Sequence, residues 1–152
     1  MSHSLCRSLF HIVFSTKERR NLIPRVSLDA TWAYMAGIAR NHQLSVIAAG
    51  GTQNHVHLFL ELPPDVTLSD AVRVVKCNSS RWLRQSVRLF AWQEGYAAFS
   101  VSPSNAGGVL RYVEHQAEHH ARYSFDDELR AMMRAAGIEP HAAVAPEGAE
   151  DS

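Results

Sequence analysis

An α+β fold, with helices packed on a four-stranded antiparallel sheet, follows from three features of the sequence. Apolar side chains alternate with period two over residues 6–15 and 55–62, as in strands with a buried face. Two stretches of helical period, about 27–40 and 67–88, lie between predicted strands. The order strand, helix, strand, strand, helix, strand then contains no repeated parallel unit. Its simplest packing is the ferredoxin-like (RRM-like) βαββαβ arrangement, with additional helices at the C-terminus.

In residues 6–15, Phe10, Ile12 and Phe14 point one way, and Leu9, His11 and Val13 the other. A basic loop, Thr16-Lys17-Glu18-Arg19-Arg20-Asn21, follows and ends near Pro24. Ser27 is positioned to cap a helix to about Arg40, with Leu28, Trp32, Met35 and Ala39 on one stripe. Residues 43–49 and 55–62 are strands joined through Gly50-Gly51-Thr52-Gln53-Asn54, which predicts a hairpin. Thr67, with Asp70 three residues on, resembles a capping box for a helix to about Arg88. Residues 97–102 are the fourth strand, about 106–121 a helix, and Ser124 caps a short helix through Met133. Residues 1–138 are expected to form one domain, and 139–152 a disordered tail.

Composition narrows the function classes. The 152 residues are 46% hydrophobic and 20% charged, enough for one core and incompatible with wholesale disorder. No apolar run approaches the ~18–20 residues of a membrane span. The first ten residues lack a signal-peptide layout. Two cysteines, Cys6 and Cys77, are too few for a disulfide scaffold or a cysteine zinc site. A reduced, cytoplasmic protein is the expectation. Net charge is zero but uneven: residues 1–94 hold 11 Lys/Arg against 6 Asp/Glu, and residues 95–152 hold 4 against 9. Neutrality therefore does not exclude a local basic face for phosphate.

The nine histidines are the compositional oddity. In His55-Val56-His57 the two imidazoles lie on one strand face, while Val56, Leu58, Leu60 and Leu62 go to the core. Two adjacent imidazoles are half of a divalent cation site, or simply two half-exposed strand residues. Tyr112 and Gln116, four apart, share a helical face flanked by His115 and His119. A hydroxyl nucleophile one turn from an amide oxygen could complete a histidine-pair metal site acting on a phosphate. A partly buried aromatic and a solvated glutamine are the plainer reading. Phenol, with a pKa near ~10, attacks poorly unless its phenolate is favoured.

Five segments in order carry a family resemblance: Phe10-His11-Ile12-Val13-Phe14 with its basic loop, Gln53-Asn54-His55-Val56-His57-Leu58, Lys76-Cys77-Asn78-Ser79-Ser80-Arg81-Trp82, the run from Ala91 to Val101, and Tyr112-Val113-Glu114-His115-Gln116-Ala117-Glu118-His119-His120. Together they resemble the TnpA-type single-tyrosine HUH transposases of small bacterial insertion sequences, relatives of the REP-associated tyrosine transposases. The resemblance covers roughly residues 5–138.

It implies that His55, His57 and Gln116 bind a divalent metal, Mg²⁺ or Mn²⁺, and that Tyr112 is the nucleophile. Tyr112 would attack single-stranded DNA to leave a 5′-phosphotyrosine and a free 3′-OH, and a second 3′-OH would rejoin the strands. The same resemblance implies hairpin-bearing DNA ends, a homodimer, and a tyrosine helix serving its own subunit or its partner. Lys17, Arg19, Arg20, Lys76, Arg81 and Arg84 are candidates for backbone phosphates. Tyr96 and Phe99 are candidates for base stacking or core packing, and His119 and His120 for auxiliary roles. Two other readings stay open: a non-catalytic or domesticated nucleic-acid-binding relative, and a histidine-triad phosphohydrolase. The latter would place a third histidine at position 59, where this chain has Phe59.

Overall fold

The computed structural model describes residues 5–139. The strands are β1 (Ser8–Ser15), β2 (Ser45–Thr52), β3 (His55–Leu62) and β4 (Ala97–Val101). The α-helices are α1 (Leu28–Asn41), α2 (Leu68–Leu83), α3 (Ala106–Glu114), α4 (Gln116–His119) and α5 (Phe125–Ala135). The sheet order is β2-β3-β1-β4, every pairing antiparallel, as the βαββαβ reading expects. The expected tail beyond Glu139 lies outside the described residues.

Strand alternation builds two different cores. On one face Ile12 and Phe14 of β1 and Val56, Leu58, Leu60 and Leu62 of β3 pack against Met35 and Ala39 of α1 and Ala71, Val72 and Val75 of α2. The helix stripes follow from their spacing, and Thr67 caps α2 by accepting from the Asp70 amide at 3.2 Å, worth about 1 kcal/mol. The opposite face carries Leu9, His11 and Val13 beside His55, His57 and Phe59. It is covered by Val113 of α3 and by Phe125, Leu129 and Met133 of α5. The C-terminal helices therefore close the face that the sequence left open, and His55 and His57 are fully buried rather than half exposed.

Boundaries differ where tertiary contacts outweigh local pattern. Gly50 and Gly51 belong to β2, pairing with His57 and Val56, so only Gln53-Asn54 forms the turn. Ser27 makes no side-chain cap; the chain enters α1 through a 3-10 turn, Arg25–Ser27. Helix α2 ends at Leu83 rather than Arg88, because the chain folds back to bury Phe90 against Ile23 and Leu83. The helix expected over 106–121 breaks at His115, whose backbone leaves the helical region at φ −107° and ψ 29° while its ring Nδ1 and its amide both meet the Arg111 carbonyl, at 2.6 and 3.1 Å.

Gly50 admits α3 to the sheet. A methyl group there would lie 2.1 Å from the Val113 carbonyl oxygen. Gly50→Ala must displace α3, which carries Tyr112. It is expected to cost about 1–3 kcal/mol in urea denaturation, the range for overpacking a tight site.

Candidate active site

Four elements converge on one buried carboxylate. Glu128 projects from α5, and its side chain is only 1% exposed. Its Oε1 lies 2.8 Å from His57 Nε2, 3.1 Å from His120 Nε2 and 3.7 Å from His55 Nε2. Its Oε2 accepts a hydrogen bond from the Tyr112 hydroxyl and lies 3.1 Å from His119 Nε2. One carboxylate thus faces the histidine pair with one oxygen and the tyrosine with the other. His55, His57, His120 and Glu128 can together direct one ligand atom each at a common cation, with all four atoms within 4.8 Å of one another.

The donor set fits a divalent cation on chemical grounds. His55 Nε2 also lies 3.3 Å from Gln116 Oε1, while the amide nitrogen of Gln116 is turned to the Tyr112 carbonyl at 3.3 Å. Nitrogen and carboxylate or amide oxygen ligands of this kind suit first-row divalent ions. His120 is the ring placed to balance the charge of Glu128. Its Nδ1 lies 2.8 Å from the Tyr123 carbonyl and its Nε2 faces the carboxylate, so both ring nitrogens meet acceptors.

The electrostatics follow. Burial lowers the His120 pKa, but the hydrogen bond and charge of Glu128 outweigh it and leave the ring more basic than usual. Burial holds His55 and His57 below the ordinary histidine range, and holds His11 to about 3. For Glu128, burial opposes ionisation, yet hydrogen bonds from His120, His57 and Tyr112 win and keep its carboxyl well below the usual range. Burial, then the hydrogen bond to Glu128, raises the Tyr112 phenol. Tyr112 is therefore a neutral phenol at rest, pointed into the site.

The folded pKa values of His11, His55 and His57 lie below the reference 6.5. Below pH 6.5 the unfolded chain then binds more protons than the folded one, so stability falls as pH drops through that value. Glu128 acts in the same direction at lower pH: its contribution is present above 4.5 and is lost as pH falls. His120 opposes them, its contribution being lost as pH rises through its elevated pKa. Three rings and a carboxylate outweigh one ring. The metal-free protein should show a melting temperature that declines steadily below pH 6.5, and a flat profile down to pH 5 would contradict this balance.

The structure brings together Tyr112, His55, His57, Gln116, His119 and His120, all within one chain. Sequence reasoning missed Glu128 and the partnership of His11, whose Nε2 lies 2.7 Å from His57 Nδ1. A signal for Glu128 existed. Phe125, Glu128, Leu129, Met132 and Met133 form one helical stripe, and a lone carboxylate on an apolar stripe asks for buried partners. A cavity of about 390 Å³ between α3 and α5 reaches His11, Tyr112, His119 and Glu128.

The basic residues divide. Lys17, Arg81 and Arg84 are exposed, though Arg84 donates to the Phe90 carbonyl at 3.1 Å. Arg19 pairs with Asp126 and sits over the Phe125 ring, and Arg20 pairs with Glu18 at 2.6 Å. Lys76 donates to the carbonyls of Gln93 and Gly95, at 2.7 and 2.9 Å, and so clamps the loop before β4. Tyr96 is 42% exposed, whereas Phe99 packs beside His11 and the Val13–Phe125 cluster. Among the described residues no helix is long and apolar enough to cross a membrane.

Comparison with known proteins agrees with this architecture. Curated relatives include the transposases for insertion sequence element IS200 of Salmonella typhimurium and of Salmonella typhi. Each is 25% identical over 127 residues, covering 78% of this chain and 82% of the relative. The ISDra2 transposase TnpA of Deinococcus radiodurans is 24% identical over 115 residues, covering 70% and 82%. A Deinococcus radiodurans R1 crystal structure assigned as a transposase superposes with TM-score 0.61 at 22% identity, covering 76% of this chain and 95% of that one. A REP-associated tyrosine transposase bound to a REP hairpin superposes with TM-score 0.59 at 13% identity, covering 100% and 96%. These two share the fold. The family model described as "Transposase IS200 like" matches residues 4–116, most of the chain and every segment from β1 through Tyr112 to Gln116. On that match, the chain belongs to the IS200-like transposase family.

Proposed function

We propose that this transposase binds DNA with hairpin ends and cleaves and rejoins single strands through a 5′-phosphotyrosine on Tyr112, with Mg²⁺ or Mn²⁺ held by His55, His57 and Gln116. Glu128 and His120 belong to the same donor set. The observation that carries the reading is the placement of the Tyr112 hydroxyl and the His57 imidazole on opposite oxygens of Glu128. A nucleophile and a cation site share one buried group.

When bound, the cation polarises the scissile phosphate and offsets the charge that develops on it. The protein does the rest. Tyr112 passes its proton to Glu128 Oε2, which already accepts from it, as Oη attacks phosphorus in line; the bond to the 3′ oxygen breaks, that oxygen takes up a proton and leaves as the 3′-OH, and the phosphate stays on the tyrosine. The phosphotyrosine conserves the bond for a later 3′-OH. Packing of the Tyr112 ring edge-on against His57, with centroids 5.7 Å apart, limits where the hydroxyl can travel.

Hairpin binding is inferred from the relative that was solved on a REP hairpin. A homodimer is part of the reading too, although the tyrosine already meets the histidines of its own chain. Of the six candidate cations, Lys17 and Arg81 are exposed and are not held by the ion pairs and hydrogen bonds that engage Arg19, Arg20, Lys76 and Arg84. Double charge reversal, Lys17→Glu with Arg81→Glu, should weaken binding of a hairpin oligonucleotide. The log–log salt slope should fall by about 2, near one per lost phosphate contact. An unchanged slope would remove these residues from the interface.

A further inference from the structure

The two imidazoles of the histidine pair do not have the same surroundings, and the difference lies in Asn54. In the Gln53-Asn54 turn, the Asn54 amide orientation is set on both sides. Its Nδ2 donates to the Arg19 carbonyl at 3.4 Å. Its Oδ1 accepts from the Thr52 hydroxyl at 3.0 Å and faces His55 Nδ1 at 2.8 Å. Thr52 Oγ1 lies 3.0 Å from the same nitrogen, and its own proton is already given to Asn54. His55 Nδ1 therefore meets two oxygens that can only accept, and the proton of the neutral ring sits there. That leaves a lone pair on Nε2, aimed at Gln116 Oε1 (3.3 Å) and Glu128 Oε1 (3.7 Å). Glu128 Oε1 already meets His57 and His120, but Nε2 of His55 and Oε1 of Gln116 face each other as two acceptors with no proton between them, an arrangement that a cation relieves.

We propose that Asn54, with Thr52, is a positioning residue that holds His55 in the Nδ1–H tautomer and so presents Nε2 as a preformed ligand for a divalent cation. His57 has no such lock. Its Nδ1 faces His11 Nε2, a partner that can donate or accept, and its Nε2 faces a carboxylate. His55 Nε2 is turned to the site as an acceptor, whereas His57 Nε2 is engaged by the Glu128 carboxylate at 2.8 Å. Partners of this kind around a ligating histidine typically tune metal affinity about 10- to 100-fold.

The inference rests on the metal reading above, and two measurements separate them. Long-range ¹H–¹⁵N correlation on the metal-free full chain reads the His55 tautomer directly. A proton on Nδ1 with Nε2 bare is expected; a proton on Nε2 would overturn the proposal. Mn²⁺ affinity, followed by electron paramagnetic resonance, should fall about 10- to 100-fold in Asn54→Leu. Asn54→Asp, which keeps an acceptor toward Nδ1, should retain most of it. Unchanged affinity in Asn54→Leu would overturn the proposal. Wild-type protein that shows the expected tautomer yet binds no Mn²⁺ would overturn the metal reading, and with it the purpose assigned to Asn54. Mn²⁺ binding with the opposite tautomer would overturn the Asn54 inference alone.

Discussion

Tyr112→Phe is expected to abolish covalent attachment to DNA while leaving the fold and hairpin binding in place. The substitution removes one oxygen. The ring keeps its edge-on contacts with His57 and His11, at centroid distances of 5.7 and 6.0 Å. Glu128 keeps its contacts with His57 and His120, at 2.8 and 3.1 Å. One hydrogen bond to a carboxylate is lost, so stability should change by no more than about 1–2 kcal/mol. Adduct formation has no substitute group at that position and should fall by at least about 10³-fold, as when a nucleophile is removed from other enzymes. Adduct yield on a denaturing gel and hairpin affinity, measured side by side on both proteins, check this. A phenylalanine variant that still forms adduct would mean that another group attacks.

Glu128→Ala has the second large effect, and it acts on both stability and metal binding. The carboxylate is the common partner of His57, His119, His120 and Tyr112. Removing it strands the His57 and His120 ring nitrogens and leaves the charge on His120 without its counter-ion. Breaking a buried ion pair from one side costs about 3–5 kcal/mol, with the low end expected here because His120 can release its proton. Mn²⁺ affinity should fall at least about 10-fold with the loss of a ligand or its immediate support. Urea denaturation and Mn²⁺ titration measure the two effects independently. Wild-type Mn²⁺ affinity in this variant would place Glu128 outside the metal's reach and confine its role to holding Tyr112.

Most of the fold was legible because strand alternation is local. In 55–62 the period alone assigns Val56, Leu58, Leu60 and Leu62 to one core and His55 and His57 to the other face, and β3 has those bounds. The pairing of Tyr112 with Gln116 was legible from helical spacing. What covers the second sheet face was not, since nothing in the strand pattern says whether α3 to α5 return over it. That one tertiary fact turns half-exposed histidines into fully buried ones. It also brings His120 and Glu128 to His57 across sequence gaps that no short motif spans. Glu128 is one of three acidic residues in the first turn of α5, where negative charge favours a helix N-terminus on its own, so its charge needs no buried partner to explain it. Lys76 shows the reverse: a lysine in a basic stretch suggests phosphate, yet its ammonium is spent on two loop carbonyls.

The 5′-phosphotyrosine proposed for Tyr112 is open to direct detection. Incubating the wild-type protein with Mn²⁺ and single-stranded hairpin oligonucleotides, then digesting the adduct with protease and nuclease, yields a modified peptide for tandem mass spectrometry. A single nucleotide 5′-phosphate is expected on the peptide containing Tyr112, absent when Mn²⁺ is left out. A nucleotide on Tyr96, Tyr123 or a serine, or an adduct formed equally well without metal, would contradict it.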